Sequence, residues 1–139
     1  MYLLDTNVVS ELRRPDKAAS AVLAWSRAAV ADQLFISSIT VFEIELGVRQ
    51  KERRDATQGR LLRQWLEMQV LPQFQGRVLD VDIAVARRCA ALHSPHSAPE
   101  RDAWIAATAL VHHMTVVSRN TRDFLACGAQ VFNPWLAPD

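Results

Sequence analysis

No stretch of this 139-residue chain is long and apolar enough to cross a membrane. Met1-Tyr-Leu-Leu-Asp5 enters structure at once, without a basic leader or cleavable apolar segment. Both absences lead us to expect a cytoplasmic protein with no membrane partner. Cysteine is reduced to Cys89 and Cys127, both within predicted helices and without metal-ligand spacing. That excludes a disulfide-stapled scaffold, and no disulfide is expected in a reducing compartment. Charge of one sign is missing too: the net charge is +1, too little for the broad basic field that drives non-specific DNA binding. Among 16 basic residues only Lys17 and Lys51 are lysine. Arginine's planar fork suits phosphate, but with alanine equally favoured the bias also reads as compositional habit. It is compatible with an RNA substrate and does not establish one.

What is present is an ordinary globular composition, 50% hydrophobic and 22% charged, in a length that suits one domain spanning residues 1–139. Met1–Leu4 reads as a short buried strand. A brief helix over Asn7–Arg13 stops at Pro15. Asp16 caps a helix from Lys17 to about Ala31. Leu34–Ser37 is the second strand. Thr40-Val-Phe-Glu43 matches a capping box that opens a helix to about Glu52. The charged segment Arg49–Arg60 reads as a solvated helix end and turn. Leu61, Leu62, Trp65, Leu66 and Met68 mark the next helix, which Pro72 closes. Then follow a strand over Arg77–Val81, a helix Ile83–His93 capped by Asp82, and a loop from Ser94 to Pro99. A helix Ala103–His113, a strand Met114–Ser118, a short helix Thr121–Ala126 and a strand Gln130–Phe132 complete the pattern. Strands alternating with helices predict an α/β fold with a central, mostly parallel sheet flanked by helices.

That topology gives four scattered acids a common address. Ligands of parallel sheets bind beyond the carboxyl ends of the strands. Asp5, Glu43 and Asp123 each follow a strand. Asp102 begins a helix that runs antiparallel to the strand it precedes, so it returns to the same edge. Singly, each acid is explained by a helix terminus: Asp5 and Asp102 as caps, Glu43 in its capping box, Asp123 as partner of Asn120. Jointly they repel. Two carboxylates about 4 Å apart cost about 4 kcal/mol at an effective dielectric near 20. Mg²⁺ or Mn²⁺, which favour oxygen ligands, would offset that cost. No histidine or cysteine set accompanies the acids, which argues against zinc.

The same residues carry a family resemblance. Asp5-Thr-Asn-Val-Val-Ser-Glu11, Glu43-Ile-Glu-Leu-Gly47, Asp102-Ala-Trp-Ile-Ala-Ala-Thr-Ala109 and Ser118-Arg-Asn-Thr-Arg-Asp-Phe124 resemble the successive signatures of a PIN domain. The closing Asn133-Pro-Trp135 is similar to the end of its FitB/VapC branch. The resemblance implies a three-layer α/β/α domain, a ribonuclease dependent on Mg²⁺ with Mn²⁺ able to substitute, and a toxin opposed by a small antitoxin. It also implies a homodimer, within a larger toxin–antitoxin assembly that meets DNA only through the antitoxin. Carried onto this chain, it makes Asp5 and Asp102 the direct metal ligands. Glu43 then orients a water or acts as general base, and Asp123 is the fourth acidic ligand. Thr6, Asn7, Ser118 and Asn120 orient carboxylates or substrate phosphate. Ser118 stands where many relatives carry threonine, with the hydroxyl retained.

Other residues offer less. Glu45 points to a different helix face from Glu43, and Glu11 and Glu100 lie near the site. His93 and His96 share a loop and His112 and His113 end a helix, without forming a metal or nucleophilic set. Trp25, Trp65, Trp104 and Trp135 read as core or interface anchors. A phosphatase using Asp5 as nucleophile is disfavoured, because Asn7 stands where a second acid is needed. The open alternatives are a related nuclease acting on housekeeping RNA or single-stranded DNA, and a non-catalytic interaction or DNA-binding module whose acids only cap helices. No helix-turn-helix signal supports direct DNA binding.

Overall fold

The structure, a computed structural model, describes residues 1–95 and 97–136. His96 and the last three residues of the expected domain lie outside that set. The chain begins with strand β1 (Tyr2–Leu4), helix α1 (Thr6–Glu11) and helix α2 (Ser20–Ala28). Strand β2 (Leu34–Ser37) runs directly into α3 (Ser38–Arg54), which is followed by α4 (Ala56–Trp65). A π turn over Leu66–Val70 and one further turn, α5 (Leu71–Gln73), extend α4. Then come β3 (Val78–Leu79), α6 (Ile83–Leu92), α7 (Glu100–Val111), β4 (Thr115–Val117), α8 (Thr121–Ala126) and β5 (Val131–Phe132).

The five strands form one sheet in the order β3-β2-β1-β4-β5, and every pairing is parallel. In β1, Tyr2 stands beside Leu34 on one side and Thr115 on the other. The first strand is therefore central, and the chain leaves it toward opposite edges in its two halves. Because successive strand residues face opposite sides, Leu4 and Val117 enter a core with Val8, Ile36, Ile44, Val48 and Leu66. Leu3 and Val116 enter another, with Ile105, Ala106, Ala109 and Phe124. Helices α1, α3 and α4 cover the first face and α7 and α8 the second, which is the expected three-layer arrangement. Trp25 closes the first core, 5.5 Å from Tyr2 and 5.6 Å from Phe132 between ring centroids. Among the described residues no helix is long and apolar enough to cross a membrane.

Four local expectations fail for identifiable reasons. Asp16 does not cap α2: the helix starts at Ser20, and Glu11 Oε2 accepts the Ala19 N–H at 2.8 Å instead. Thr40 is not an N-cap. The end of β2 leads straight into α3, so Ser37 takes that place and accepts the Ile39 N–H at 2.9 Å, leaving Thr40 buried inside the helix. Expected as a solvated helix end and turn, Arg49–Arg60 confines its turn to one residue. Helix α3 runs to Arg54, and Asp55 alone, with φ −150°, ends it and caps α4 through the Gln58 N–H. Pro72 does not close the preceding helix either. Its ring conflicts with the carbonyl four residues back, and the widened π turn just before it lets the helix continue through Gln73.

Candidate active site

Asp5 ends β1 at the point where the strand order reverses, which is the expected ligand crevice of a parallel sheet. It caps α1, its Oδ1 accepting the Thr6 N–H at 2.8 Å. Oδ2 accepts the Ser118 hydroxyl at 2.7 Å and the Asn7 amide at 3.3 Å, across the gap from β1 to the end of β4. The residue is 5% exposed, and Ser118 is fully buried. Burial pushes the Asp5 carboxyl above its ordinary pKa. The Ser118 and Thr6 hydrogen bonds pull the other way, and the nearby Glu43 charge adds to the rise.

Glu43 lies in the second turn of α3. The Thr6 hydroxyl donates to its Oε1 at 2.7 Å and also lies 3.2 Å from the Thr40 hydroxyl. With Ser37 as the cap of α3, the capping-box explanation of Glu43 no longer holds. Asp102 sits in the first turn of α7 behind Pro99, which occupies the N-cap, so Asp102 is not a cap either. Asn120 donates its side-chain amide to Asp102 Oδ2 at 2.8 Å and to Asp123 Oδ2 at 3.0 Å, joining α7 to α8. Its own backbone N–H donates to Ser118 Oγ at 2.9 Å. One hydrogen-bonded chain thus runs from Glu43 through Thr6 to Asp5, and from Ser118 through Asn120 to Asp102 and Asp123.

The charges of the other three acids reach Asp102. Asp102 titrates at about 6, raised first by burial, then by the charges of Asp5, Asp123 and Glu43, and lowered only by the Asn120 bond. Among the described residues, no three of His, Cys, Asp or Glu form a preassembled metal cage. Hydroxyl and amide side chains stand between the carboxylates instead. Such a set still fits Mg²⁺ or Mn²⁺, because Mg²⁺ keeps several waters and binds through one or two carboxylates plus substrate phosphate. All four donors are carboxylate oxygens, and their mutual repulsion is what a hard dication relieves. An apolar cleft lined by Leu4, Val9, Leu12, Leu23, Trp25 and Trp65, among others, contains none of the acids and is not the chemical centre.

The remaining candidates take structural places. Glu45 lies on another face of α3 and pairs with Arg49 at 2.9 Å and Arg63 at 2.8 Å. His93 Nδ1 accepts the Ala98 N–H at 3.1 Å. Cys89 and Cys127 are buried free thiols, held above the usual thiol range chiefly by burial. Two neighbours of the acids escaped sequence reasoning: Thr40, mistaken for a cap, and Arg101, whose Nη1 lies 3.5 Å from Glu43 Oε2. The contact of α3 with α7 brings Arg101 to Glu43, and local spacing carries no sign of it.

Comparison with known proteins agrees with this fold. The PIN domain family matches residues 2–128. Toxin FitB of Neisseria gonorrhoeae is 40% identical, the match covering 97% of this chain and 99% of FitB. VapC ribonuclease Y4jK of Sinorhizobium fredii is 39% identical, over 97% of this chain and 98% of its own length. A structure of FitAB bound to the IR36 DNA fragment superposes with a TM-score of 0.89 at 38% identity, covering 100% of this chain and 99% of the matched one. The chain belongs to the PIN-domain family, in the branch of the FitB and VapC proteins.

Proposed function

We propose that this chain is a divalent-metal-dependent endoribonuclease acting as the toxin of a type II toxin–antitoxin pair. One observation carries the chemical part: four carboxylates approach the carboxyl edge of the sheet, where burial first, and then the charges of Asp5, Asp123 and Glu43, lift Asp102 to about 6. Likeness to a protein named toxin and another named ribonuclease, at 40% and 39% identity, supports the biological part.

Asp5 and Asp102 are the direct ligands in this reading, with Asp123 as a supporting acid. A bound Mg²⁺ or Mn²⁺ supplies charge neutralisation, a water of lowered pKa and stabilisation of the leaving oxygen. Glu43 orients the attacking water or takes its proton, its carboxylate steadied by the Thr6 hydroxyl. Ser118 and Asn7 hold Asp5 in one rotamer, and Asn120 holds Asp102 against Asp123. Water attacks phosphorus in line, the bond to the 3′-oxygen breaks, and the 2′-hydroxyl takes no part. Proposed partners are an antitoxin, a second copy of the chain, and DNA only through the antitoxin; the cytoplasm is the proposed setting. The exposed Phe42, Met68, Ile83 and Leu125 supply apolar surface for such assembly.

Defined RNAs incubated with Mg²⁺, Mn²⁺ or chelator test the chemistry. Cleavage is expected with either ion, and cleavage that survives complete chelation overturns the mechanism. Expression that halts growth, relieved by co-expressing a small neighbouring reading frame, is the expected result for the toxin role. Unimpaired growth under strong expression of active protein argues against it.

A further inference from the structure

Among the described residues, the four acids have a single ion-pair partner between them. It is Arg101, with Nη1 3.5 Å from Glu43 Oε2. Its guanidinium carbon lies 5.2 Å from the centroid of the Phe42 ring. The side chain is 50% exposed and Phe42 is 52% exposed, so the pair stands where solvent reaches the acids. Ile39, Glu100 and Trp104 line a cleft with them.

Fold stability gives little reason for this arrangement. An exposed ion pair at that distance is longer than a good charge-assisted hydrogen bond and contributes little. The aromatic contact, by contrast, sets the plane of a group with five donors in a fixed fork. That fork matches the oxygens of a phosphodiester better than it matches one distant carboxylate oxygen.

We propose that Arg101 is a phosphate-contacting residue of the RNA site, held in waiting by Glu43. In the metal-free protein its guanidinium offsets the Glu43 charge. With a divalent cation held by Asp5 and Asp102, Glu43 would turn to the attacking water, and the freed fork would meet the non-bridging oxygens of the phosphate beside the scissile bond. Phe42 keeps the plane oriented in both states. The inference rests on the ribonuclease reading and adds to it a substrate contact and its control.

The test is binding of a short fluorescein-labelled single-stranded RNA, followed by anisotropy over a salt series in EDTA and in Ca²⁺. Mn²⁺ affinity is measured separately by calorimetry, and cleavage separately on gels. Arg101→Ala is expected to weaken RNA binding about tenfold in Ca²⁺. The plot of log K against log[salt] becomes shallower by about 0.7, the share of one single-strand phosphate. In EDTA the loss stays below about twofold, and Mn²⁺ binds at least as tightly as to wild type. Arg101→Lys keeps the salt slope and regains only part of the affinity, because an ammonium is a point charge without the fork. Both changes fall on a half-exposed side chain, and unchanged circular dichroism and melting confirm folding. An unchanged salt slope in Arg101→Ala, with wild type binding both RNA and Mn²⁺, overturns the inference. So does an equal loss in EDTA and Ca²⁺. Wild-type protein that neither binds Mn²⁺ nor cleaves RNA overturns the ribonuclease reading, and the inference with it.

Discussion

At the residue scale the informative group is Asp102, because Pro99 caps α7 and leaves this carboxylate without a capping role. Asparagine keeps its size and its ability to accept from Asn120 while removing the charge. Asp102→Asn is therefore expected to fold, to lose RNA cleavage, and to melt higher than wild type in EDTA, since a repelled charge is gone. Wild-type-like cleavage by this variant removes Asp102 from the mechanism. The pH dependence has a definite sign. The folded carboxyl titrates at about 6 against an ordinary value of 3.8, so between these values the folded state binds more protons than the unfolded one. Metal-free stability contributed by Asp102 is full below that window, falls as pH rises through it, and is constant above. Urea denaturation of wild type and Asp102→Asn in EDTA checks this: their stability difference grows from pH 4 to about pH 7. Ser118 makes the companion case. Removing the buried hydroxyl that donates to Asp5 Oδ2 at 2.7 Å leaves a desolvated carboxylate short of a donor. Ser118→Ala is expected to cost about 1–3 kcal/mol and to weaken Mn²⁺ binding, measured by denaturation and calorimetry.

At the scale of elements, the α3–α4 hairpin shows how close packing overrides local preference. A Cβ on Gly59 would stand 2.5 Å from the Cα of Glu52, so the two helices touch backbone to backbone there. Helix propensity alone predicts that Gly59→Ala stabilises by about 0.8–1 kcal/mol. The contact predicts a loss of about 1–3 kcal/mol, and the sign of the shift in urea midpoint decides. Arg63 clasps the same hairpin, reaching Glu45 at 2.8 Å and Glu52 at 3.0 Å. This explains why the charged run Arg49–Arg60 reads as a helix end and turn in sequence yet is almost wholly helical: Glu52 within it is held by Arg63 of the next helix. Signals contained in a few neighbouring residues were legible, such as the Leu34–Ser37 strand, the Asp82 cap and the Thr121–Ala126 helix. The start of α3 was not. Ser37, Ser38 and Thr40 all offer a hydroxyl, and only the end of β2 selects among them.

At the scale of the whole molecule, parallel topology made the convergence of the acids legible, because alternating strands and helices leave few other places for them. The hydroxyl and amide side chains that space the carboxylates were legible only as motif members. Their connections, such as Thr6 to Glu43 and Asn120 to both Asp102 and Asp123, arise where different crossovers meet. The pair formed by Arg101 and Glu43 had no signature at all. Loading the site should register globally. At about one hundred times its Kd, Mn²⁺ adds about 2.7 kcal/mol of stability by mass action, seen as a higher melting temperature. Asp5→Asn is expected to abolish that shift, and an equal shift in the variant removes Asp5 from the ligands.

The central position of β1 bears on when the proposed site can assemble during synthesis. Strand β1 is made well before its second neighbour, β4, which begins only at Thr115. The backbone bond from the Asp5 N–H to the Val117 carbonyl, at 2.9 Å, cannot close until then. A nascent chain halted before β4 has Asp5, Glu43 and Asp102 but lacks Ser118, Asn120, Asp123 and one flank of its central strand. A chain halted before β4 is thus expected to lack the proposed nuclease activity, which awaits Ser118, Asn120 and Asp123.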